Sequence, residues 1–265
     1  MRIEQLGDGT PEVAVVAAIH GDEPCGVRAV ERLLSDAPDV ERPVKLVVAN
    51  EEALEKGVRY VEEDLNRAFP GDPNADTHEG RLASALASEL RDCTTLSLHS
   101  TQSYGEPFAL VDTVGAVARS LCPFLPVSVL VQTGEESEGR LISYPHTLEV
   151  ECGYQGSERA AENAVELVYG FLEATGVLAD DEPVVGAARD DVTVFGLGNP
   201  VPKPPADEYE VFAENFQQVA AGEAFAAADG DELVAEAAFW PVLMSAYGYQ
   251  TVFGYRGERI GVLES

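Results

Sequence analysis

Two histidines and a glutamate have the types and spacing to hold a metal ion. His20 and Glu23 stand three residues apart in His20-Gly21-Asp22-Glu23-Pro24, directly after the apolar run Val13 to Ile19. His99 follows a second strand-like stretch, Thr94 to Leu98. Two imidazoles and one carboxylate leave a fourth position open, the arrangement of a catalytic rather than a structural zinc site. Such a site activates water for hydrolysis. The bland alternative is a pair of loop histidines satisfied by backbone hydrogen bonds, and H-x-x-E alone does not separate the two. The chain has only four histidines, so two at strand ends are informative.

The surrounding pattern says what must position them. Val13 to Ile19 reads as a buried strand feeding a helix from about Cys25 to Leu34. Val44 to Ala49 is a second strand, followed by a short helical segment from Asn50 to Lys56 and a polar, irregular stretch from Gly57 to Asp76. Thr77 caps a helix running to Leu90, with Gly80 in its first turn. Strands are expected at Thr94 to Leu98, Pro107 to Val111, Val127 to Val131 and His146 to Glu151, then a long helix from Ser157 to Leu172. Strands alternating with helices predict an α/β fold with a doubly wound, mostly parallel sheet. Ligands gather outside the carboxyl ends of such strands, where His20, His99 and Glu151 all fall.

The character changes after Gly176. Residues 179–183 and the Pro-rich stretch 199–205 read as breakers and linkers. Short apolar runs with Gly-containing turns follow, including a hairpin turn at Ala228-Asp229-Gly230-Asp231. The expectation is an α/β catalytic domain over 1–180 and a small β-rich domain over 184–265.

Composition sets the setting rather than the chemistry. The 265 residues carry 47 Asp and Glu against 17 Lys and Arg, a formal net charge of −30. That field repels nucleic acid and anionic lipid, so neither is an expected partner. The acid is spread along the chain, and only three of the basic residues are Lys, a composition that resembles salt-adapted haloarchaeal proteins. No apolar stretch suits a spanning helix, no leader is evident, and the four cysteines form no C-x-x-C pair, so a cytoplasmic protein is expected.

Longer motifs sharpen the reading. Ala18-Ile19-His20-Gly21-Asp22-Glu23 resembles an H-G-D/N-E zinc-binding segment, and Arg59 to Gly71 (RYVEEDLNRAFPG) is similar to an R-Y-x3-D-L-N-R-x-F motif. Ser97-Leu98-His99-Ser100-Thr101 resembles D-L-H-N/S-T, with Ser97 in place of the usual Asp. These motifs, in this order, are those of the succinylglutamate desuccinylase/aspartoacylase family, relatives of the zinc carboxypeptidases. The resemblance implies Zn2+ held by His20, Glu23 and His99, and cleavage of the amide of an N-acyl amino acid or a related small anionic substrate. It also implies that Arg59 stabilises the oxyanion, that Asn66 and Arg67 hold the substrate carboxylate, and that Arg140 and Tyr249 are further substrate contacts. A lysine that accompanies this tyrosine in aspartoacylase has no counterpart, since the last lysine is Lys203.

The catalytic glutamate stays open between two positions. Glu149 and Glu151 alternate by two and face the same side of one strand. The local E-C-G-x-x-G spacing favours Glu151, whereas the gapless match around Tyr144-Pro145 favours Glu149. Two further functional classes remain open: a carboxypeptidase-like peptidase, and a metal-binding module without catalysis. Oligomeric state is not legible.

Overall fold

The computed structural model describes all residues except 135–138, 179–188, 190 and 264–265. The breaker at 179–183 and the boundary between 180 and 184 therefore lie outside the described residues. Four parallel strands form the centre: Val44–Val48 (β3), Val13–Ala17 (β2), Thr94–Thr101 (β4) and Thr147–Tyr154 (β7), adjacent in that order. Every β2 residue is buried, as expected for a parallel strand covered on both faces. Its alternation is visible in the packing. Val13, Val15 and Ala17 join the layer of the helices Cys25–Asp36 (α1) and Glu158–Ala174 (α5), while Ala14 and Val16 pack with the helix His78–Leu90 (α3).

The sheet extends to ten strands. Arg2–Leu6 (β1) borders β3 antiparallel, and beyond β7 come Phe108–Val111 (β5), Val129–Gln132 (β6), Thr193–Pro202 (β8), Val252–Val262 (β13) and Trp240–Val242 (β12). A separate antiparallel sheet holds Tyr209–Val211 (β9), Ala224–Ala228 (β10) and Asp231–Val234 (β11). The mixed, mostly parallel α/β sheet with a smaller antiparallel sheet matches the expected fold class. The hairpin at Ala228 to Asp231 also forms, with Asp229 (φ 49°) and Gly230 (φ 84°) supplying the two positive-φ positions of such a turn.

The expected linker at 199–205 is corrected in its first part: Asn199 to Pro202 close β8. β8 pairs with β6 only as far as Gly196, and with β13 from Thr193 to Pro202. Its last six residues thus have one neighbour, and an edge tolerates prolines that lack an N–H. Strand β1 was not foreseen, because an edge strand with three exposed residues in five has no apolar alternation to read.

Backbone shape at the end of β2 places the first site residues. Ala18 takes a left-handed φ of 54°, a conformation rare outside Gly. The chain then turns away from the sheet through Ile19 and His20. Gly21 follows in a close approach: a Cβ there would lie 2.1 Å from the Ala53 carbonyl carbon, so no side chain fits. The Gly21 N–H donates to the Arg59 carbonyl at 3.1 Å, which ties this turn to the loop carrying Arg59 and Asp64.

Candidate active site

His20, Glu23 and His99 meet at the carboxyl ends of β2 and β4, and all three are buried. The Glu23 carboxylate lies between the two rings. Its Oε1 is 2.8 Å from His20 Nδ1, and its Oε2 is 3.0 Å from His99 Nδ1. One ligand atom from each residue falls within 4.8 Å of the others. The donor chemistry fits a divalent cation that accepts nitrogen and carboxylate oxygen. Buried acid and imidazole in this proximity also perturb one another. Burial opposes a charge on His20, but Glu23 and Asp64 outweigh it and raise its pKa to about 9. Burial likewise opposes the Glu23 charge, and His20 foremost, with His99, pulls its pKa well below the usual carboxylate range.

Each ring is held from its far side. His20 Nε2 is 3.1 Å from Asp64 Oδ1, and His99 Nε2 is 3.1 Å from Ser97 Oγ. Carboxylates or hydroxyls in these positions fix ring orientation and leave the opposite nitrogen for the metal. Asp64 has a second task, capping the short 3-10 turn Leu65–Arg67 by accepting from the Asn66 N–H at 2.9 Å. In the sequence Asp64 stands out only as part of the Asp-Leu-Asn-Arg motif, with no role of its own. Its signal was present, since it opens the Asp-Leu-Asn-Arg segment in an N-cap position.

Arg59 reaches both carboxylates that touch His20, donating to Glu23 at 3.1 Å and to Asp64 at 3.2 Å. Its loop is anchored by Glu79, in the first turn of α3, which accepts from the backbone N–H groups of Val61, Glu62 and Glu63 and from Asn50 Nδ2. Glu79 was likewise missed, because a carboxylate in a helix's first turn reads simply as a favourable end charge.

The two strand glutamates occupy different environments. Glu149 is 1% exposed and fully engaged: Arg140 donates to Oε2 at 2.9 Å, and Asn66 donates to Oε1 at 3.2 Å. Burial opposes its charge, but Arg140 and then His99 hold its pKa below the usual carboxylate value. Glu151 pairs in register with His99, and its Oε2 is buried with no hydrogen-bond partner. Burial, reinforced by Glu23, raises its pKa to about 7.

A cavity of about 400 Å3 joins these groups to the remaining predicted residues. Arg67, Arg140 and Tyr249 line it together with the metal cluster, Glu149 and Glu151. Asn66 lines it too, but its amide is spent on Glu149 and on the Leu141 N–H. Every predicted site residue is thus brought to one cavity. Residues of the segment from Leu243 to Gln250 complete the wall, and of them only Tyr249 was foreseen. Lys203 steadies that wall by donating to the Tyr249 carbonyl at 2.5 Å.

A mixed, mostly parallel α/β sheet with a buried His/Glu/His cluster at its strand ends is consistent with the active site of a metal-dependent amidohydrolase. Residues 9–112 match the succinylglutamate desuccinylase/aspartoacylase catalytic domain. Over 238 residues it is 25% identical to an N-acyl-aromatic-L-amino acid amidohydrolase (carboxylate-forming) of Xenopus laevis, covering 80% of this chain and 74% of the relative. The fold is similar to that of a succinylglutamate desuccinylase/aspartoacylase from Rhodobacter sphaeroides, with a TM-score of 0.78 at 20% identity over 98% of this chain and 89% of that one. It is also similar to the product-bound ectoine utilization protein EutE (DoeB) from Ruegeria pomeroyi, with a TM-score of 0.77 at 20% identity, covering 97% and 87%. Among the described residues no helix is long and apolar enough to cross a membrane.

Proposed function

We propose that this protein is a zinc-dependent deacylase that hydrolyses the amide bond of an N-acyl amino acid or a related small anionic amide in the cytoplasm. The observation that carries this reading is the Glu151 carboxylate, which has a free buried oxygen and lies beside a His/Glu/His cluster in one cavity. His20, Glu23 and His99 would hold Zn2+, which supplies Lewis-acid polarisation and makes water more acidic. Glu151 takes the proton of the attacking water and returns it to the departing amine nitrogen, work suited to a carboxyl group with a pKa of about 7. Arg59 faces the carbonyl oxygen as negative charge develops there. Arg67 binds the substrate carboxylate, Arg140 offers the substrate a further donor, and Tyr249 lines the same cavity.

The engagement of both Glu149 oxygens supports assigning Glu149 to structure and Glu151 to proton transfer. A carboxypeptidase-like action on peptides is the second reading. The wall formed by Leu243 to Gln250 favours a small substrate over a peptide. A binding module without catalysis is the third, and the retention of a free carboxylate beside the cluster argues against it. The deciding experiment incubates zinc-loaded protein with a panel of N-acyl amino acids and C-terminal dipeptides and measures amine release. Hydrolysis of the acyl amino acids supports the deacylase. Cleavage of the dipeptides alone supports the peptidase, and metal binding without either supports the module.

A further inference from the structure

Resting on the deacylase reading, we propose that the substrate carries a single negative charge: the N-acyl derivative of a neutral amino acid, with an uncharged acyl group. None of the residues outside the described set is a Lys, Arg or His, so the count of positive side chains is complete for the chain. Three arginines and two histidines line the cavity, facing five carboxylates: Asp22, Glu23, Asp64, Glu149 and Glu151. His20 and His99 are committed to Glu23 and the metal position, which leaves the arginines to meet a substrate.

The three guanidiniums are not equally available. Arg59 is bound to Glu23 and Asp64, at 3.1 and 3.2 Å. Arg140 has its charge matched by Glu149 at 2.9 Å, yet its Nε is buried without a partner. It therefore offers a donor whose charge is already spent, equally suited to a neutral carbonyl oxygen. Arg67 donates to the Asn66 backbone carbonyl at 2.7 Å, and among the described residues no carboxylate lies within ion-pair distance of it. One cation outside any ion pair among the described residues matches one substrate carboxylate.

The rest of the wall is uncharged. Gln102, Gln155, Ser245, Tyr247, Tyr249 and Gln250 present amides, hydroxyls and aromatic faces. These groups satisfy a neutral side chain or acyl group. A second carboxylate would give up its water among the site's own carboxylates with no free side-chain cation to meet it, since the charge of a bound Zn2+ would already be matched by Glu23 and Glu151, and that is strongly unfavourable in a recess.

The test compares N-acetyl-L-glutamine with N-acetyl-L-glutamate, which have nearly the same shape and differ by one charge. With zinc-loaded protein at matched salt, kcat/KM for the glutamine derivative should be higher by ~30-fold or more. Equal values, or a preference for glutamate, overturn the proposal. If neither compound is hydrolysed, the deacylase reading fails, and calorimetric titration of the same protein with the same pair still reads the charge preference. Tighter binding of the glutamine derivative sustains the single-charge site. Equal binding, preference for glutamate or no binding of either overturns it.

Discussion

Glu151 stands opposite His99 across the β4–β7 ladder, while its neighbour in the alternation, Glu149, stands opposite Ser97. That two-residue difference separates a free carboxylate from a bound one. Glu151→Gln should therefore retain zinc while kcat falls by at least ~10²-fold, since the amide cannot accept a proton. The wild-type rate should also rise with pH through a midpoint no higher than about 7, because a bound cation stabilises the Glu151 charge further, and the variant should lose this limb. Glu149→Gln should instead lower affinity for zinc or substrate through His99, Asn66 and Arg140. Loss of turnover in Glu149→Gln with full zinc, alongside an active Glu151→Gln, would reverse the assignment.

Asp64 holds His20 at its outer nitrogen and caps the turn that presents Asn66 and Arg67. Asp64→Asn keeps the shape but removes the charge. Zinc affinity should fall by ~10–100-fold, as measured by competition with a chelator. Unchanged affinity would mean that His20 needs no charged support.

Glu79 satisfies three backbone N–H groups of the loop that carries Arg59 and Asp64. Glu79→Ala leaves these donors unmet and should destabilise the fold by about 3 kcal/mol or more, read from denaturant unfolding. Its pKa is lowered: burial opposes the charge, but the Val61 N–H and Asn50 outweigh it. Such a group contributes stability above its unfolded-state pKa, and the contribution is lost as pH falls through the folded value. The variant should accordingly show a weaker loss of stability on acidification than the wild type.

With a net charge of −30, the folded chain repels itself where counterions are scarce. The melting temperature should rise between low and molar KCl as screening takes hold. A melting temperature independent of salt would show that the dispersed carboxylates are already balanced by local contacts.

Much of this site could be read from the sequence because its groups are local to strand ends. His20, His99 and Glu151 each follow an apolar run, and a parallel sheet collects such ends by its topology. Thr77 was likewise legible as a cap, and its hydroxyl accepts the Gly80 N–H. What was not legible depends on long-range contacts. Nothing near Asp64 in the chain announces His20, 44 residues away, as its partner. The pairing of Glu149 with Arg140 and Asn66 required the fold, so the choice between the two glutamates could not be made from spacing alone. The edge strand β1 and the proline-bearing end of β8 were hidden for a different reason: a strand with one neighbour needs neither alternation nor every N–H.

The central claim is that a metal held by His20, Glu23 and His99 is required for amide hydrolysis. The most direct measurement is the zinc content of purified wild-type and His99→Ala protein, with amine release from an N-acyl amino acid panel followed on the same samples. The wild type should hold about one zinc per chain and lose activity on chelation, recovering it when zinc is restored. His99→Ala should lose most of the metal and all hydrolysis. Wild-type zinc content in His99→Ala, or full hydrolysis by zinc-free protein, would contradict the account.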